Sequence, residues 1–253
     1  MNSEWGRSSP FTFKFYILHF TFQMSITFII IIITCLVSFY GFSNQKIIDD
    51  LIFYPPAIAK RNQWYRFFSC GLIHADFMHL GFNMFALYLF GEGQKIPGKL
   101  LKSGLEYSFI DIFGNKGKLL YLLMYVLALG VCLLPTYNKN KENYDYRSLG
   151  ASGAVSAVIF AQILLEPMMG MGLLIIPNVY IAGFIFGALY LFISHWLDRK
   201  GGGNINHSAH IFGAIFGIAF MIVAAKLFSD TPVLQNFINE IKNMSFRNVI
   251  WTI

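Results

Sequence analysis

Three short stretches of the chain concentrate side chains able to do chemistry. Gly150-Ala151-Ser152-Gly153 offers a hydroxyl among small residues, Ser208-Ala209-His210 offers an imidazole, and His74, His79 and Asn83 offer further nitrogen groups. A serine attacks a carbonyl carbon only if a base takes its proton as the bond forms, and histidine is the side chain suited to that task near neutral pH. His210 is the one ionisable residue in the early turns of its apolar run. The attack places negative charge on the former carbonyl oxygen, which needs preorganised donors. The Ser152 backbone N–H at a helix start, with Gly150 beside it, favours an anion. His79 and Asn83, spaced i,i+4, present side-chain donors from one helix face. Asp198, in the predicted adjoining loop, is the one carboxylate that could orient the histidine, so the spacing favours a Ser–His dyad over a triad.

The elements that must position these groups are read from hydropathy. Of 253 residues, 56% are hydrophobic and 13% charged, with a mean hydropathy of +0.55. Such a composition belongs in a bilayer. Apolar runs predict six helices: Met24–Phe42, Phe68–Phe90, Lys118–Pro135, Gly150–Leu165, Asn178–Trp196 and Ser208–Phe228. Consecutive spans alternate in direction, so the second, fourth and sixth run the same way, and their polar first turns share one side of the membrane. Intramembrane polar groups are costly unless they face the bundle interior or a wet cavity. Gly153, Ala157 and Ala161 recur every four residues in the fourth run, and His210, Gly213 and Gly217 fall on one stripe of the sixth. Stripes of this kind let two backbones approach closely, which would carry Ser152 to His210. The fourth run, at 1.5 Å per residue, is about 24 Å long, shorter than the ~30 Å hydrocarbon core. Its serine end is therefore expected below the surface, where unpaired helix N–H groups call for a water-filled cavity.

Other segments read as surroundings. Residues 1–23 lack the pattern of a secretory signal and are assigned to the interface or cytoplasm; residues 24–228 form the membrane domain, and residues 229–253 a tail with helical spacing at Leu234, Phe237, Ile238 and Ile241. Ser43–Phe67 mixes apolar, aromatic and charged residues, as an interfacial loop does. Gly91–Gly117 and Tyr137–Ser148, rich in Gly, Lys and Asn, read as solvated loops. The Phe-rich fifth run, with Phe184, Phe186 and Phe192, reads as lipid-facing. Cys35, Cys70 and Cys132 suggest neither a disulfide framework nor a metal cluster. The net charge of +6 suits contact with anionic lipid, and no nucleic-acid partner is expected. Lys and Arg divide almost evenly between the two faces, so charge alone does not orient the bundle.

Together, Gly150–Gly153, Ala209–Gly217 (A-H-x-x-G-x-x-x-G) and His74–Asn83 (H-A-D-F-M-H-L-G-F-N) resemble the signatures of the rhomboid intramembrane proteases over roughly Met24–Phe228. The resemblance implies an all-α, six-transmembrane-helix bundle with an interfacial first loop, and a serine endopeptidase that needs no cofactor or metal. It implies that single-span transmembrane proteins are cut near the membrane surface, after lateral entry beside the fifth helix. Ser152 becomes the nucleophile, His210 the base, and His79 and Asn83 oxyanion donors. His74 and the Trp64-Tyr65-Arg66 element become structural, with Gly153, Gly213 and Gly217 serving close packing. Ser156 stands where some relatives have an aromatic that packs on the histidine. The expected setting is a bacterial cell (inner) membrane, with the site opening away from the cytoplasm. Gly201-Gly202-Gly203, ahead of His210, is expected to form a mobile cap.

Two rival readings use the same residues. A catalytically inactive rhomboid-like protein would bind transmembrane clients without cutting them, which the intact Ser152 and His210 oppose. A metal-dependent hydrolase built on His74, His79 and His210 would leave Ser152 without a role and lacks intramembrane carboxylates.

Overall fold

A computed structural model describes residues 24–94, 102–172, 179–200, 206–244 and 249–252. Residues 1–23 and Gly201–Gly203, for which the sequence predicts an interfacial segment and a mobile cap, lie outside the described residues.

Helix α1 (Ile26–Ser43) turns Thr27, Ile30, Thr34, Ser38 and Gly41 inward and leaves Ile32, Ile33, Leu36 and Phe39 exposed. Small and polar residues inside with large apolar residues outside is the reverse of a helix packed in water. Lipid satisfies the outer face, and small residues give close packing on the inner one. Three described helical runs, Ile26–Ser43, Leu105–Asn140 and His207–Phe228, are long and apolar enough to cross a membrane, and Ser152–Leu165 is a shorter apolar helix. The protein is thus an all-α membrane bundle, with only two small antiparallel sheets among the described residues.

After α1 the chain forms α2 (Gln45–Leu51), α3 (Pro55–Arg61), α4 (Arg66–Ser69) and a 3₁₀ turn at Cys70–Leu72. α3 begins on two prolines, which suit the first helical turn, and stops at Asn62 in the left-handed region, φ 56°. The predicted second span starts later than its hydropathy suggests. α5 covers Phe77–Leu87, because Asp76 caps it by accepting from the His79 backbone N–H, and Phe68–Asp76 belongs to the first loop. A π turn, Tyr88–Glu92, extends α5, and strands β1 (Gly93–Gln94) and β2 (Lys102–Ser103) pair antiparallel.

The expectation of a solvated Gly91–Gly117 loop is corrected by α6 (Leu105–Phe113), which buries Leu105, Glu106, Phe109 and Phe113. Glu106 accepts from Ile26 N, Thr27 N and Thr27 Oγ1, each at 2.8 Å. A carboxylate at the positive end of α1 satisfies helix donors that lipid could not. The run continues through α7 (Gly117–Val131) and α8 (Leu134–Asn140), so the predicted Tyr137–Ser148 loop also begins as helix.

α9 (Ser152–Leu165) is the central helix, buried on nearly every side. β3 (Gly170–Gly172) and β4 (Val179–Ala182) lead into α10 (Gly183–Lys200), whose last turn holds Asp198, placed by the sequence reading in a loop. α11 (His207–Phe228) follows, then α12 (Val233–Lys242) where amphipathic spacing predicts it, and β5 (Ile250–Thr252). β5 returns to pair antiparallel with β4, so the chain end is joined to the approach to α10. Helices therefore stand at all six predicted places.

Candidate active site

The seam between α9 and α11 sets the geometry. A Cβ added at Gly213 would lie 2.0 Å from the Gly153 carbonyl oxygen, and one at Gly217 would lie 2.2 Å from that of Ala157. No side chain fits at either position, so glycine is what lets these backbones touch. The contact runs along both predicted small stripes, and the first turns of the two helices emerge together at one end. Asn206 caps α11 by accepting from Ala209 N at 3.1 Å. It also receives Thr136 Oγ1 at 3.2 Å, a tie to α8. His210, on the same turn, places Nε2 2.7 Å from Ser152 Oγ. With Nε2 unprotonated, the hydroxyl donates to it, and that is the starting state for general-base transfer. Among the described residues no carboxylate bonds the other ring nitrogen. Asp198, although close enough to act on His207, makes no hydrogen bond to His210.

The approach to Ser152 is held from the first loop. Phe53 and Ser148 exchange backbone hydrogen bonds at 3.0 and 3.1 Å, and Gly150 N donates to Cys70 O at 2.9 Å. His74, 1% exposed, joins this approach to α1: Ala151 N lies 3.4 Å from its Nε2, its Nδ1 lies 3.0 Å from Ser38 Oγ, and Ser38 donates to Leu72 O at 2.9 Å. The directions are consistent only if Nδ1 carries the proton. These contacts place His74 between α1 and the approach to Ser152.

Gly150 is at φ +107°, and a Cβ there would fall 2.6 Å from His79 Cε1 and 2.8 Å from its Nε2. Both the left-handed backbone and the imidazole lying against it require glycine. The His79 Nδ1 lies 3.4 Å from the Ala75 N–H, which assigns the proton to Nε2, the atom beside Gly150. Asn83, one turn on, donates from Nδ2 to His79 O at 2.9 Å; its second amide hydrogen remains for another acceptor. The starts of α5, α9 and α11 thus meet as parity requires. A cavity of about 20 Å³ adjoins Ser152, lined among others by Ser148, Gly150, Asn206, Cys70 and Cys132, room for a single water.

Arg66, also buried, donates from Nη1 to Asp49 O (2.8 Å) and Ile52 O (2.7 Å) and from Nε to Gln63 Oε1 (2.7 Å). Three donors of one guanidinium thus tie the first loop together, while Trp64 stacks on Phe67 with 9° between the rings. Neither reaches the dyad.

The rhomboid domain family matches residues 61–227, a span that holds every group just described except Ser38, Phe53 and the Asp49 and Ile52 carbonyls that Arg66 binds. The chain belongs to the rhomboid family. It is 26% identical over 211 residues to a Bacillus subtilis (strain 168) protein named "Putative rhomboid protease YdcA", covering 79% of this chain and 89% of that one. It is 24% identical over 168 residues to Rhomboid-like protein 11, chloroplastic, of Arabidopsis thaliana, covering 64% of this chain and 53% of that one. The rhomboid chain thus spans about half the length of the plant relative and most of the bacterial one.

Sequence reasoning missed several groups in this rhomboid site. Asn206 could have been found, since an Asn just ahead of an apolar run is a cap signal. Ser38 and Cys70 could not, because each reaches the site only through a long-range contact. Among the described residues no group of three His, Cys, Asp or Glu side chains is placed to hold a metal.

Proposed function

We propose that this rhomboid is an intramembrane serine endopeptidase that cuts single-span transmembrane proteins near the membrane surface with a Ser152–His210 dyad. The observation that carries the reading is the 2.7 Å contact between Ser152 Oγ and His210 Nε2, made between two helices that glycines hold in backbone contact. Ser152 Oγ attacks the substrate carbonyl carbon while its proton passes to His210 Nε2. The resulting oxyanion is met by the Ser152 N–H at the start of α9, the His79 Nε2–H and the second Asn83 amide hydrogen, with Gly150 keeping the space open. His210 returns the proton to the leaving amine as the C–N bond breaks, leaving an acyl-enzyme on Ser152. Water, deprotonated by His210, then attacks the ester and frees the carboxylate product.

Helix-breaking residues near the scissile bond are expected, because a peptide group inside a regular helix has its carbonyl already bonded and its carbon shielded. The setting proposed is a bacterial cell membrane, in keeping with the similarity to the Bacillus protein, and the dyad end is proposed to face away from the cytoplasm. Labelling of single cysteines introduced in the loops, from each side of the membrane, tests the orientation.

The test of activity is cleavage of a transmembrane reporter by purified protein in detergent or liposomes. S152A and H210A should each abolish cleavage and labelling by a fluorophosphonate while the protein stays folded. Cleavage by S152A at the parent's rate would end this reading, and stable capture of uncut reporter by the parent would favour a client-binding rhomboid.

A further inference from the structure

Among the described residues no carboxylate bonds His210 to fix its ring, and Ser156, one turn below Ser152, brings no ring of its own. What lies against the imidazole is Tyr190, from α10. Its ring centroid is 6.0 Å from that of His210 with 25° between the planes, within the range of offset aromatic stacking. The Tyr190 hydroxyl is 3.1 Å from Ser156 Oγ, so the same side chain is tied to the helix that carries the nucleophile. Behind it, Phe186 lies nearly parallel at 6.5 Å and 17°, and Phe160 of α9 tilts against it at 5.8 Å. His207 also meets His210, edge-on, with 5.8 Å between centroids.

We infer that Tyr190 is a positioning residue for the base: its ring, held by the Ser156 hydroxyl, keeps the His210 imidazole turned toward Ser152. The inference rests on the proposed dyad. An imidazole on two rotatable bonds needs more than one contact to hold Nε2 in line with a hydroxyl, and a flat partner constrains the ring plane without competing for either nitrogen. The ring arrives from the periphery. α10 buries only Gly183, Gly187 and Ser194 fully, while Tyr190 and Phe186 also wall a cleft of about 240 Å³ that faces Phe82, Phe85 and Phe90 of the α5 arm. The orientation of the base is therefore set by whether α10 is seated on α9.

The test separates orientation of the base from docking in the cleft by using a small fluorophosphonate, which reports the nucleophilicity of Ser152 without a helix to dock, alongside kcat and KM for a transmembrane reporter. Loss of the ring in Y190L should slow labelling and lower kcat by about ten- to a hundredfold, the cost of misplacing a catalytic group by an ångström or less, with KM changed far less. Y190F, which keeps the ring and loses the tether, should stay within about threefold of the parent. Because the hydroxyls of residues 156 and 190 touch, Y190A combined with S156Y puts a ring into the same space from α9 and should recover most of the lost rate. If Y190L does not fold, Y190M fills the volume without a planar ring and takes its place. A folded Y190L or Y190M labelled at the parent's rate, or a loss in KM alone, would overturn the assignment. A folded swap variant no faster than Y190A would do so too. A parent that the probe does not label, like S152A, would overturn the dyad and the assignment with it, whereas a labelled parent and an equally labelled Y190L would overturn the assignment alone.

Discussion

The two helices that flank α9 near the dyad are joined to it by different means. α11 meets it backbone to backbone, with Gly213 against the Gly153 carbonyl and Gly217 against that of Ala157. α10 meets it through side chains: the Tyr190–Ser156 hydroxyl pair, the Phe160–Tyr190 contact and Gly187 beside the Phe160 ring. A backbone seam has no rotamers to change, so it fixes distance, and the Ser152–His210 separation inherits that rigidity. A side-chain contact can open and close with modest shifts, so it suits a helix that borders a cleft. The site therefore takes its spacing from one neighbour and, by the inference above, the aim of its base from the other.

Breaking the seam should have the largest effect. G217V would drive a branched side chain into the Ala157 carbonyl, and overpacking of this kind costs about 1–3 kcal/mol or more. Since shifts of about an ångström cost on the order of a hundredfold in rate, cleavage by the folded fraction should fall at least that far. A fluorophosphonate labelling rate near the parent's would show that the seam does not set the dyad distance. A change on the nucleophile's approach should come next. G150A forces a Cβ into a backbone at φ +107° and against His79, a strain of about 1–3 kcal/mol. Cleavage should drop about tenfold or more as the oxyanion donors shift, read as kcat on the reporter. The smallest effect belongs to the α10 contact with its ring left in place. S156A removes the tether alone, and thermal stability should fall by about 1 kcal/mol or less. Cleavage should stay within about threefold; a drop as deep as that of G150A would mean that the hydroxyl pair, not the ring, does the holding.

Much of this was legible because membrane burial writes itself in residue size and polarity. Ser152, His210, His79 and Asn83 stood out as polar groups in apolar runs, and parity placed their helix ends together before any contact was known. The stripes Gly153–Ala157 and Gly213–Gly217 predicted which faces meet. Legibility failed where local composition pointed the wrong way. The Gly- and Lys-rich frame of Gly91–Gly117 hid α6, whose Glu106 is stable in the interior only because the start of α1, 80 residues away, supplies three donors. Phe68–Asp76 is apolar enough to read as span, yet the Asp76 cap starts the helix at Phe77.

By itself the sequence determined the lipid-solvated bundle and which polar groups, Ser152, His210, His79 and Asn83, gather at one end of it, because these follow from periodicity, hydropathy and side-chain type. Only the tertiary structure decided that the approach to Ser152 hangs from the first loop through Phe53, Cys70 and His74, and that the ring against His210 comes from α10. Those contacts join residues dozens of positions apart, and nothing in the local chemistry of either partner specifies the other.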